Sequence, residues 1–551
     1  MSEWTVGAAF DAIADVIGDR VMTVCGARRS TFAESASRTN GLANFLNANG
    51  FGAHRERDTL NRWECGQDRV ALLMYNDLYP DAVIACLKAR VVPVNVNYSY
   101  SPREIAELFS YVRPRGIIYH SSLGARCAEV LPSDGAELLI SIDDGSGAAE
   151  LPGAVSLDDA LAQGGSASPA PGSPDDLIMM CTGGTTGRPK GVLWRQSDMY
   201  VASMVGADHA SVEEIHAKVR GGGQAWFAVS PLMHAAGMWT AFSAIMNGFT
   251  AVLYDGQGKL DVRSVWQTAE RERVGMMTMV GDAYAGPLVA ELQRGSYDLS
   301  SLNGIGTGGA ATNPKFKRAL MEKLPQVTVI DGYGSSESGN MGFGHSQRGT
   351  QSETFVLREG GAVVSEDRTR FLQPGDPEIG WVARSGRIPL GYFDDAEATE
   401  RTFPEIDGTR VVIPGDRASI ESDGTLRLYG RDSLVVNTGG EKVFVEEVEE
   451  VLRTHPGVAD ALVVGRPSER WGQEIVALVE LQPDAGVVEE AELAALCKSQ
   501  LAHFKAPKAI LLVEQIQRLG NGKPNYRWAK QAAADQLPAT ALAGADAEGS
   551  A

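Results

Sequence analysis

Hydrophobic and polar residues follow two different patterns along the first 140 residues. Apolar positions recur at helical spacing over residues 31–49, whereas residues 70–75 are a short continuous apolar run typical of a buried strand. Residues 80–89 return to the helical pattern, and residues 91–96 form a second apolar run. Strand patterns that alternate with helix patterns predict a layered α/β domain with a parallel sheet.

A polar stretch comes next and leads to another predicted strand. Residues 143–175 are rich in Gly, Ala, Ser, Pro and Asp, which is the composition of a surface connection. Residues 176–181 (Asp-Leu-Ile-Met-Met-Cys) then form an apolar run that continues into a glycine-rich segment. We therefore expect a buried strand that ends where this segment begins.

The C-terminal part of the chain has the pattern of a smaller, separate domain. Strand patterns lie at residues 461–464 and 475–481, and helix patterns lie at 445–454 and 490–501. About 100 residues suffice for a small α+β domain. We predict a large N-terminal domain of layered α/β subdomains at residues 1–431, a small C-terminal α+β domain at 432–535 and a disordered, Ala/Gly-rich tail at 536–551.

Composition and charge narrow the classes of partner. Hydrophobic residues make up 44% and charged residues 22% of the 551-residue chain, as in soluble globular proteins. The formal net charge of -20 argues against a nucleic-acid partner and against docking on an anionic membrane. The oligomeric state stays open, and a homodimer is one of the alternatives.

Cysteine spacing and the N-terminal sequence indicate the cellular compartment of the protein. The 6 cysteines contain no C-x-x-C pair, so reduced structural thiols are expected rather than a metal cluster or a disulfide framework. The first residues lack a basic region followed by an apolar run, and no apolar stretch approaches the roughly 18 residues that span a bilayer. We therefore predict no transmembrane segment and a cytoplasmic location.

The sharpest chemical signal is Thr-Gly-Gly-Thr-Thr-Gly-Arg-Pro-Lys-Gly at residues 182–191, directly after a predicted strand. Glycines let backbone amides approach a phosphate chain, hydroxyls add donors, and a lysine adds positive charge. It is not a Walker loop, because Gly191 follows the lysine. A flexible linker is the alternative, which this order of residues disfavours. The predicted phosphate-binding residues are Thr182, Gly183, Gly184, Thr185, Thr186, Gly187 and Lys190.

This loop resembles the phosphate-binding signature of the adenylate-forming superfamily, which includes acyl-CoA synthetases, luciferases and peptide-synthetase adenylation domains. Asp-Gly-Tyr-Gly-Ser-Ser-Glu at residues 331–337 resembles the family's Tyr-Gly-x-Thr-Glu motif. The resemblance implies that Tyr333 stacks on adenine, that Ser336 contacts the α-phosphate and that Glu337 ligates the Mg²⁺ of MgATP. Residues assigned to the nucleotide site in this motif are Asp331, Gly332, Tyr333, Gly334 and Ser336.

Two further segments resemble nucleotide-binding motifs of the family. Gly308, Gly309 and Ala310 lie in the segment that resembles its adenine-facing motif. The overlapping G-x-G-x-x-G at 304–309 also fits a dinucleotide fingerprint, which we discount because no acidic residue follows it in a βαβ context. The resemblance implies that Asp416 accepts hydrogen bonds from the ribose hydroxyls and that Arg431 also holds the ribose; a surface ion pair is the alternative for each.

The C-terminal domain contributes a second set of motifs. Residues 438–442 (Thr-Gly-Gly-Glu-Lys) resemble the loop that the family brings to its active site for thioester formation, and residues 520–523 (Gly-Asn-Gly-Lys) resemble the segment with its catalytic lysine, Lys523. The implied C-terminal domain is a mobile lid with its hinge at Ser433. The residues assigned to the CoA loop are Gly439, Gly440, Glu441 and Lys442.

Two short segments are assigned to the acyl side. Residues 231–239 resemble the family segment whose aromatic residue gates the acyl pocket, and His234 takes that place; a structural histidine is the alternative. Small residues in this segment and in residues 280–284 suggest room for a bulky apolar acid. The residues assigned to the acyl pocket are His234, Gly237, Met238, Trp239, Gly281 and Asp282.

The resemblance covers residues 8–530 and implies an adenylate-forming enzyme fold with an ATP-dependent acyl-CoA ligase activity, similar to bacterial fatty-acyl and steroid-side-chain CoA ligases. The implied catalytic residues are Lys523, Glu337 and His234, Glu337 being the metal ligand; ATP, Mg²⁺ and coenzyme A are the implied cofactors and co-substrates. Three alternatives stay open: an adenylating enzyme that loads a carrier protein, an aromatic-acid CoA ligase and a catalytically silent nucleotide-binding protein.

Overall fold

The computed structural model describes residues 3–131, 136–183, 189–257, 260–309, 312, 314–350, 352, 354–431, 435–482, 485–517 and 526–535. The chain divides into two compact units: the first comprises residues 1–182 and 189–432, and the second comprises residues 433–551 together with the short segment 183–188. The tail predicted to be disordered, residues 536–551, lies outside the described residues.

The described residues of the first unit form helices and three sheets. Its α-helices are α1 (Val6–Ile17), α2 (Phe32–Ala48), α3 (Tyr79–Lys88), α4 (Pro102–Val112), α5 (Gly124–Val130), α6 (Leu157–Gly164), α7 (Gln196–Ser203), α8 (Val212–Arg220), α9 (Ala235–Met246), α10 (Val262–Arg271), α11 (Gly281–Arg294), α12 (Pro314–Lys323) and α13 (Ala396–Thr402). Short 3₁₀-helices lie at Arg57–Thr59 and Ser121–Leu123.

The strands of the first unit run from the N-terminal region to residue 431. They are β1 (Val21–Cys25), β2 (Arg28–Thr31), β3 (Arg69–Leu73), β4 (Val92–Asn95), β5 (Gly116–His120), β6 (Leu138–Ile142), β7 (Val155–Ser156), β8 (Leu177–Gly183), β9 (Pro189–Arg195), β10 (Ala225–Ala228), β11 (Thr250–Leu253), β12 (Val274–Met279), β13 (Gly304–Thr307), β14 (Thr328–Ser335), β15 (Gly339–Ser346), β16 (Val356–Leu357), β17 (Gly361–Val364), β18 (Gly380–Ser385), β19 (Gly391–Tyr392), β20 (Glu405–Ile406), β21 (Thr409–Val412), β22 (Asp416–Ile420) and β23 (Leu426–Arg431).

Two of the three sheets have parallel centres. Among the described strands, one sheet has the order β19-β9-β8-β4-β3-β5-β6-β7, and a second has the order β16-β15-β14-β13-β12-β10-β11-β1-β2. Parallel pairs run from β4 through β3 to β6 in the first, and from β11 through β10 to β14 in the second. The third sheet, β20-β21-β18-β22-β23 with β17 beside β18, is antiparallel. The predicted layered α/β architecture is confirmed.

The helix predicted at residues 31–49 is α2, and local chemistry explains where it starts. The Thr31 side chain accepts a hydrogen bond from the Glu34 amide, and the Glu34 side chain accepts one from the Thr31 amide. This reciprocal pair satisfies two amides that the first turn of a helix otherwise leaves without partners. The strands predicted at residues 70–75, 91–96 and 176–181 are β3, β4 and β8.

The surface connection predicted at residues 143–175 is wrong in part, because it contains β7 and the helix α6. The side chain of Ser156 caps α6 by accepting a hydrogen bond from the Asp159 amide. A Cβ atom built on Gly164, the last residue of α6, would collide with the carbonyl oxygen of Gly41 in α2. The small residues that suggested a loop therefore permit close packing of α6 on α2.

The second unit is a sheet covered on both faces. Its described elements are β24 (Val435–Thr438), β25 (Glu441–Phe444), α14 (Val445–Arg453), β26 (Val458–Ser468), β27 (Gly472–Leu481), α15 (Glu490–Gln500), a 3₁₀-helix (His503–Lys505), β28 (Ala509–Val513) and α16 (Tyr526–Asp535). The sheet order is β25-β24-β27-β26, with β28 beside β27. The predicted strands and helices of this domain are confirmed as β26, β27, α14 and α15.

Alternation along β26 explains why this small unit folds as two layers of core. Ala461 and Val463 belong to the apolar cluster that includes α14 and α15, whereas Leu462 and Val464 belong to the cluster that includes α16. Successive side chains of a strand point to opposite faces, so each face buries its own cluster. An apolar run without polar alternation is the expected sequence pattern of such a strand.

Burial of the cysteines explains their protonation state. All 6 cysteines are free thiols, and burial raises the pKa of Cys86, Cys127 and Cys181 to about 12, so they are protonated at neutral pH. Within the described ranges, no helix combines the length and the apolar character that a bilayer span requires.

Candidate active site

Two buried asparagines connect the strand ends of the two large sheets. Asn95, the last residue of β4, donates from Nδ2 to the carbonyl oxygens of Cys181 (3.1 Å) and Met233 (2.8 Å). Its Oδ1 accepts from the Cys181 amide at 2.6 Å. Asn95 therefore ties Cys181, the residue before Thr182, to Met233, the residue before His234.

Asn76 reinforces this connection from the end of β3. Its Nδ2 donates to the carbonyl oxygen of Tyr254 at 2.8 Å, and its Oδ1 accepts from the Leu232 amide at 2.8 Å. Ligands of α/β proteins commonly bind beyond the carboxyl ends of parallel strands. Asn76 and Asn95 therefore connect the carboxyl ends of strands in the two large sheets.

The glycine-rich segment begins on β8 and ends on β9. Thr182 and Gly183 are the last residues of β8, and Lys190 is the second residue of β9. Gly184, Thr185, Thr186 and Gly187 lie outside the described residues. The Lys190 Nζ atom is 4.7 Å from the centroid of the Tyr392 ring, so this cation lies over an aromatic face.

Glu337 occupies a turn between β14 and β15 that three side chains from other strands hold. Trp194 on β9 donates from Nε1 to the carbonyl oxygen of Ser336 at 2.8 Å. Arg384 on β18 donates from Nη1 to the carbonyl oxygen of Ser338 at 2.6 Å. The hydroxyl of Tyr392 on β19 donates to Oε1 of Glu337 itself at 3.1 Å. The half-buried carboxylate is thus fixed through its own oxygen and through both flanking carbonyls.

Arg384 is a cation buried behind this turn. Its side chain has 4% of its surface exposed, and its Nη1 also donates to the carbonyl oxygen of Asn340 at 3.1 Å. Burial, together with the nearby Arg358 guanidinium, lowers the pKa of Arg384 to about 10, so it remains charged at neutral pH. Its Nε atom has no hydrogen-bond partner within the part of the chain that the structure describes.

Tyr333 and Asp416 meet although they are far apart in sequence. The Tyr333 hydroxyl donates to Oδ2 of the buried Asp416 at 2.8 Å, and the Tyr333 ring lies 5.5 Å from that of Phe355. Asp416 begins β22 directly opposite Arg431 of β23 in the antiparallel register. The structure therefore brings together the three residues that the sequence assigned to adenine and ribose; the side chain of Arg431 lies outside the described part.

Both carboxylate oxygens of Asp331 accept hydrogen bonds from neighbouring side chains. Its Oδ1 accepts from the Thr307 hydroxyl and its Oδ2 accepts from the Lys317 ammonium, both at 2.8 Å. The carboxylate therefore joins β13, β14 and α12, and both of its oxygens already accept hydrogen bonds from protein groups. Gly334 is required by close strand packing, because a Cβ atom there would lie 2.2 Å from the carbonyl oxygen of Gly339.

The remaining residues of the adenine-facing segment lie at the end of β13. A Cβ atom on Gly308 would lie 3.3 Å from the carbonyl oxygen of Gly332, which places the two motifs side by side. Gly309 has a φ of +77°, a conformation that favours glycine, and Ala310 lies outside the described residues. The glycines of the discounted G-x-G-x-x-G pattern serve strand packing, since a Cβ atom on Gly304 would lie 2.5 Å from the Met276 sulfur.

The predicted acyl segment forms the start of α9. His234 is the half-buried N-cap residue, and Met238 and Trp239 are buried in the apolar cluster that also contains α1 and α3. A Cβ atom on Gly237 would lie 2.5 Å from the carbonyl oxygen of Pro231. The expectation that Gly237 adds room for an acid is therefore corrected: its missing side chain permits close backbone packing.

The second predicted acyl segment forms the start of α11. Gly281 is the first residue of this helix and has a φ of +55°, which favours glycine. Asp282 follows in the first turn, and its side chain lies outside the described part of the chain.

The predicted CoA loop is a tight hairpin within the second unit. Thr438 of β24 pairs with Glu441 of β25, which leaves Gly439 and Gly440 as the two loop residues, with φ values of +60° and +85°. Positive φ at both loop positions defines the type I′ turn that suits a two-residue hairpin. The Gly439 amide donates to the carbonyl oxygen of Trp471 at 3.0 Å. Lys442 is placed by its backbone on β25, and Ser433 and Lys523 lie outside the described residues.

Sequence reasoning missed Tyr392, Arg384 and the two asparagines. A cation inside the otherwise apolar pattern of β18 is the signal that could have identified Arg384, since a buried charge requires partners. Tyr392 carries no comparable signal, because a tyrosine on a short buried strand is ordinary. Only the folded chain shows that it contacts Glu337 and Lys190.

Two family matches cover most of the chain. Residues 10–375 match the family described as AMP-binding enzyme, and residues 447–523 match the family described as AMP-binding enzyme C-terminal domain. Medium-chain acyl-CoA ligase Mig of Mycobacterium avium is 44% identical over 96% of this chain and 98% of that protein. The 3-oxocholest-4-en-26-oate–CoA ligase of Rhodococcus rhodochrous is 33% identical over 94% of this chain and 93% of that protein.

Solved structures share the fold across nearly the whole length. The amide bond synthetase McbA from Marinactinospora thermotolerans superposes with a TM-score of 0.76 at 21% identity, covering 95% of this chain and 99% of that one. The o-succinylbenzoate CoA synthetase from Bacillus subtilis has a TM-score of 0.74 at 22% identity, covering 96% and 99%. These likenesses confirm the predicted adenylate-forming fold. The family matches and the 44% identical relative show that the chain belongs to the AMP-binding enzyme family.

Proposed function

We propose that this protein is an AMP-forming acyl-CoA ligase that activates an apolar carboxylic acid, either a medium- to long-chain fatty acid or a steroid side-chain acid. Relatives that align over nearly their full length are named as medium-chain, medium/long-chain fatty acid and 3-oxocholest-4-en-26-oate CoA ligases. The family membership supports ATP as a substrate, and the names of the relatives support coenzyme A as the acceptor.

The observation that carries the proposal is the contact of Tyr392 with both Lys190 and Glu337. Lys190 belongs to the segment assigned to the phosphates, and Glu337 is the carboxylate assigned to the metal. Mg²⁺ is commonly held by one or two carboxylates together with substrate phosphates, so the half-buried oxygen ligand of Glu337 fits this ion. Bound with ATP, Mg²⁺ would neutralise part of the phosphate charge.

The first half-reaction forms the acyl adenylate. A carboxylate oxygen of the acid attacks the α-phosphorus of ATP, the bond from that phosphorus to the bridging oxygen breaks, and pyrophosphate leaves. Lys190 and the backbone amides of the glycine-rich segment would face the phosphates, and the Tyr333–Asp416 pair would face the nucleoside. Positioning and charge neutralisation supply most of the acceleration in such transfers.

The second half-reaction transfers the acyl group to CoA. The CoA thiolate attacks the acyl carbonyl carbon, the bond from that carbon to the phosphate oxygen breaks, and AMP leaves. The backbone of a hairpin with two glycines suits close approach to a pantetheine arm, which supports the assignment of Gly439 and Gly440. Lys523 is assigned to the first half-reaction on its sequence motif alone.

The experiment that tests the proposal is a screen for CoA-dependent AMP release over fatty, steroidal, aromatic and short-chain acids. The segments assigned to the acid are mostly apolar, and each buried methylene contributes about 0.8 kcal/mol. Four or more methylenes then favour medium- and long-chain acids over acetate by at least about a hundredfold in kcat/KM. A profile that peaks at acetate, succinate or benzoate would contradict the assigned acid class.

The identity of the acyl acceptor and the role of Lys523 are tested in separate experiments. Release of AMP only in the presence of a phosphopantetheinylated carrier protein would identify a carrier-loading enzyme instead. Lys523→Ala is expected to abolish adenylation while leaving thioester formation from supplied acyl adenylate within about tenfold of the parent rate. Equal loss of both half-reactions would remove Lys523 from the adenylation step. The cytoplasmic location and the oligomeric state stay predictions.

A further inference from the structure

We propose that Tyr392 is a positioning residue that orients Glu337 for the metal of MgATP and holds Lys190 beside it, so that one side chain couples the phosphate loop to the metal ligand. The inference rests on the proposed function, because it takes Glu337 and Lys190 as parts of an ATP site. Neither the family motifs quoted above nor the sequence pattern assigns a role to this tyrosine.

The hydroxyl end of Tyr392 fixes one oxygen of the carboxylate. The phenol donates to Oε1 of Glu337 at 3.1 Å, and the Tyr392 side chain is 5% exposed, so this hydrogen bond is shielded from water. A carboxylate oxygen that accepts one hydrogen bond has a set orientation, which also sets the direction of the second oxygen. Partners of this kind around a metal ligand change metal affinity by about 10–100-fold.

The ring of Tyr392 fixes the lysine. The Lys190 Nζ atom lies 4.7 Å from the ring centroid, and Phe403 packs at a centroid distance of 5.8 Å and an interplanar angle of 69°. The edge contact with Phe403 restricts rotation of the tyrosine ring, which keeps its face toward the lysine. Tyr392 therefore sets the separation of a cation and a carboxylate that come from segments about 150 residues apart.

The backbone of Tyr392 is anchored independently of its side chain. Tyr392 lies opposite Val192 in the β9–β19 pair. Val192 lies two residues after Lys190 on β9. Its amide donates to the Thr399 hydroxyl at 2.9 Å, and its carbonyl oxygen accepts from that same hydroxyl at 3.4 Å. Removal of the phenol oxygen should consequently leave the strand in place, which makes Tyr392→Phe a clean test.

The test uses the full chain and measures binding rather than turnover. Tyr392→Phe keeps the ring over Lys190 and removes the donor to Glu337. We expect the affinity of the enzyme–ATP complex for Mn²⁺, followed by electron paramagnetic resonance, to fall by about 10–100-fold. ATP affinity measured by calorimetry in EDTA should change by less than about twofold, because the contact with the lysine is retained.

A matched control removes the hydroxyl of Tyr111, a half-buried tyrosine that also contacts β9. The Tyr111 hydroxyl donates to the carbonyl oxygen of Phe393 at 2.6 Å and accepts from the Gly191 amide at 3.1 Å, without a hydrogen bond to Glu337. Tyr111→Phe should leave Mn²⁺ affinity within about twofold of the parent. Tyr392→Leu should additionally weaken ATP binding in EDTA by about two- to fivefold, since it also removes the ring.

The outcomes separate this inference from the proposed function. Parent-like Mn²⁺ affinity in Tyr392→Phe would overturn the inference, and so would an equal loss in Tyr392→Phe and Tyr111→Phe. A parent enzyme that binds no ATP would instead refute the proposed function. Circular dichroism confirms that each variant is folded, so that a loss of binding is read only from native protein.

Discussion

The turn that carries Glu337 and the turn formed by Gly439 and Gly440 are built in opposite ways. Trp194, Arg384 and Tyr392 hold the first turn, and they lie 142, 46 and 55 residues away from their partners in sequence. The second turn follows from two adjacent glycines with positive φ between paired strands. Long-range side-chain contacts therefore determine the first turn, whereas the second depends mainly on local conformation, with one backbone hydrogen bond from Gly439 to Trp471.

This difference implies different sensitivities to mutation. A turn held by distant, buried donors depends on groups that nothing near it in sequence can replace. A turn that depends on glycine conformation changes only when a side chain is introduced at the glycine itself, and the cost is limited to backbone strain. Substitutions around Glu337 should thus have larger effects, and should affect adenylation first.

Arg384→Met is expected to have the largest effect. It removes the charged donor to the carbonyl oxygens of Ser338 and Asn340, and hydrogen bonds from charged groups are worth about 1.5–3 kcal/mol each. A combined loss of about 3 kcal/mol corresponds to a decrease of about a hundredfold in kcat/KM for pyrophosphate exchange. Arg384→Lys, which keeps the cation, should retain more activity. An Arg384→Met rate within about fivefold of the parent would show that the turn does not need this donor.

Asn95→Ala should mainly affect stability. It leaves the amide and the carbonyl oxygen of Cys181 and the carbonyl oxygen of Met233 without their side-chain partner, at a cost of about 3 kcal/mol in the free energy of unfolding. Urea denaturation monitored by fluorescence measures this change. Asn44→Ala is the control, because the Asn44 side chain makes one exposed contact with the carbonyl oxygen of Ala167. Equal midpoints for the two variants would contradict the long-range role of Asn95.

The buried His120, at the end of β5, makes the free energy of unfolding depend on pH. Its Nδ1 accepts from the Tyr75 amide at 3.0 Å, and burial lowers its pKa to about 4. The unfolded chain binds this proton near pH 6.5, so stability is fully present above that pH and falls as the pH drops toward 4.

The corresponding variant is His120→Asn, which keeps an acceptor for Tyr75 but cannot titrate. Between pH 7 and 5 the parent should lose about 2 kcal/mol more unfolding free energy than this variant does. The exposed His503→Asn serves as the control and should follow the parent. Parallel stability curves for the parent and His120→Asn would contradict the shifted pKa.

Gly440→Ala should have the smallest effect, and only on the second half-reaction. A φ of +85° costs an alanine about 1–2 kcal/mol, so thioester formation should slow by about five- to thirtyfold while adenylation stays within about twofold. Gly486→Ala is the control, since a Cβ atom there meets no other atom and the residue is exposed. An equal slowing of both half-reactions would show that this hairpin is not specific to the thioester step.

The same contrast explains what could be predicted from the sequence. Helix α2 and strands β3 and β8 were predicted from periodicity, because this signal is local, whereas Gly439 and Gly440 were assigned only through the resemblance of their motif. Helix α6 was missed since its small residues suggested a loop, although they serve packing against α2. Tyr392 was missed because its contacts with Lys190 and Glu337 exist only in the folded chain.

The most direct test of the central claim follows oxygen-18 from the acid. An apolar acid labelled in both carboxylate oxygens is incubated with enzyme, MgATP and CoA, and the products are analysed by mass spectrometry. Attack of the carboxylate on the α-phosphorus, followed by thiol attack on the acyl carbon, leaves one labelled oxygen in AMP, one in the thioester and none in pyrophosphate. Unlabelled AMP, or label in inorganic phosphate released together with ADP, would contradict activation through an acyl adenylate.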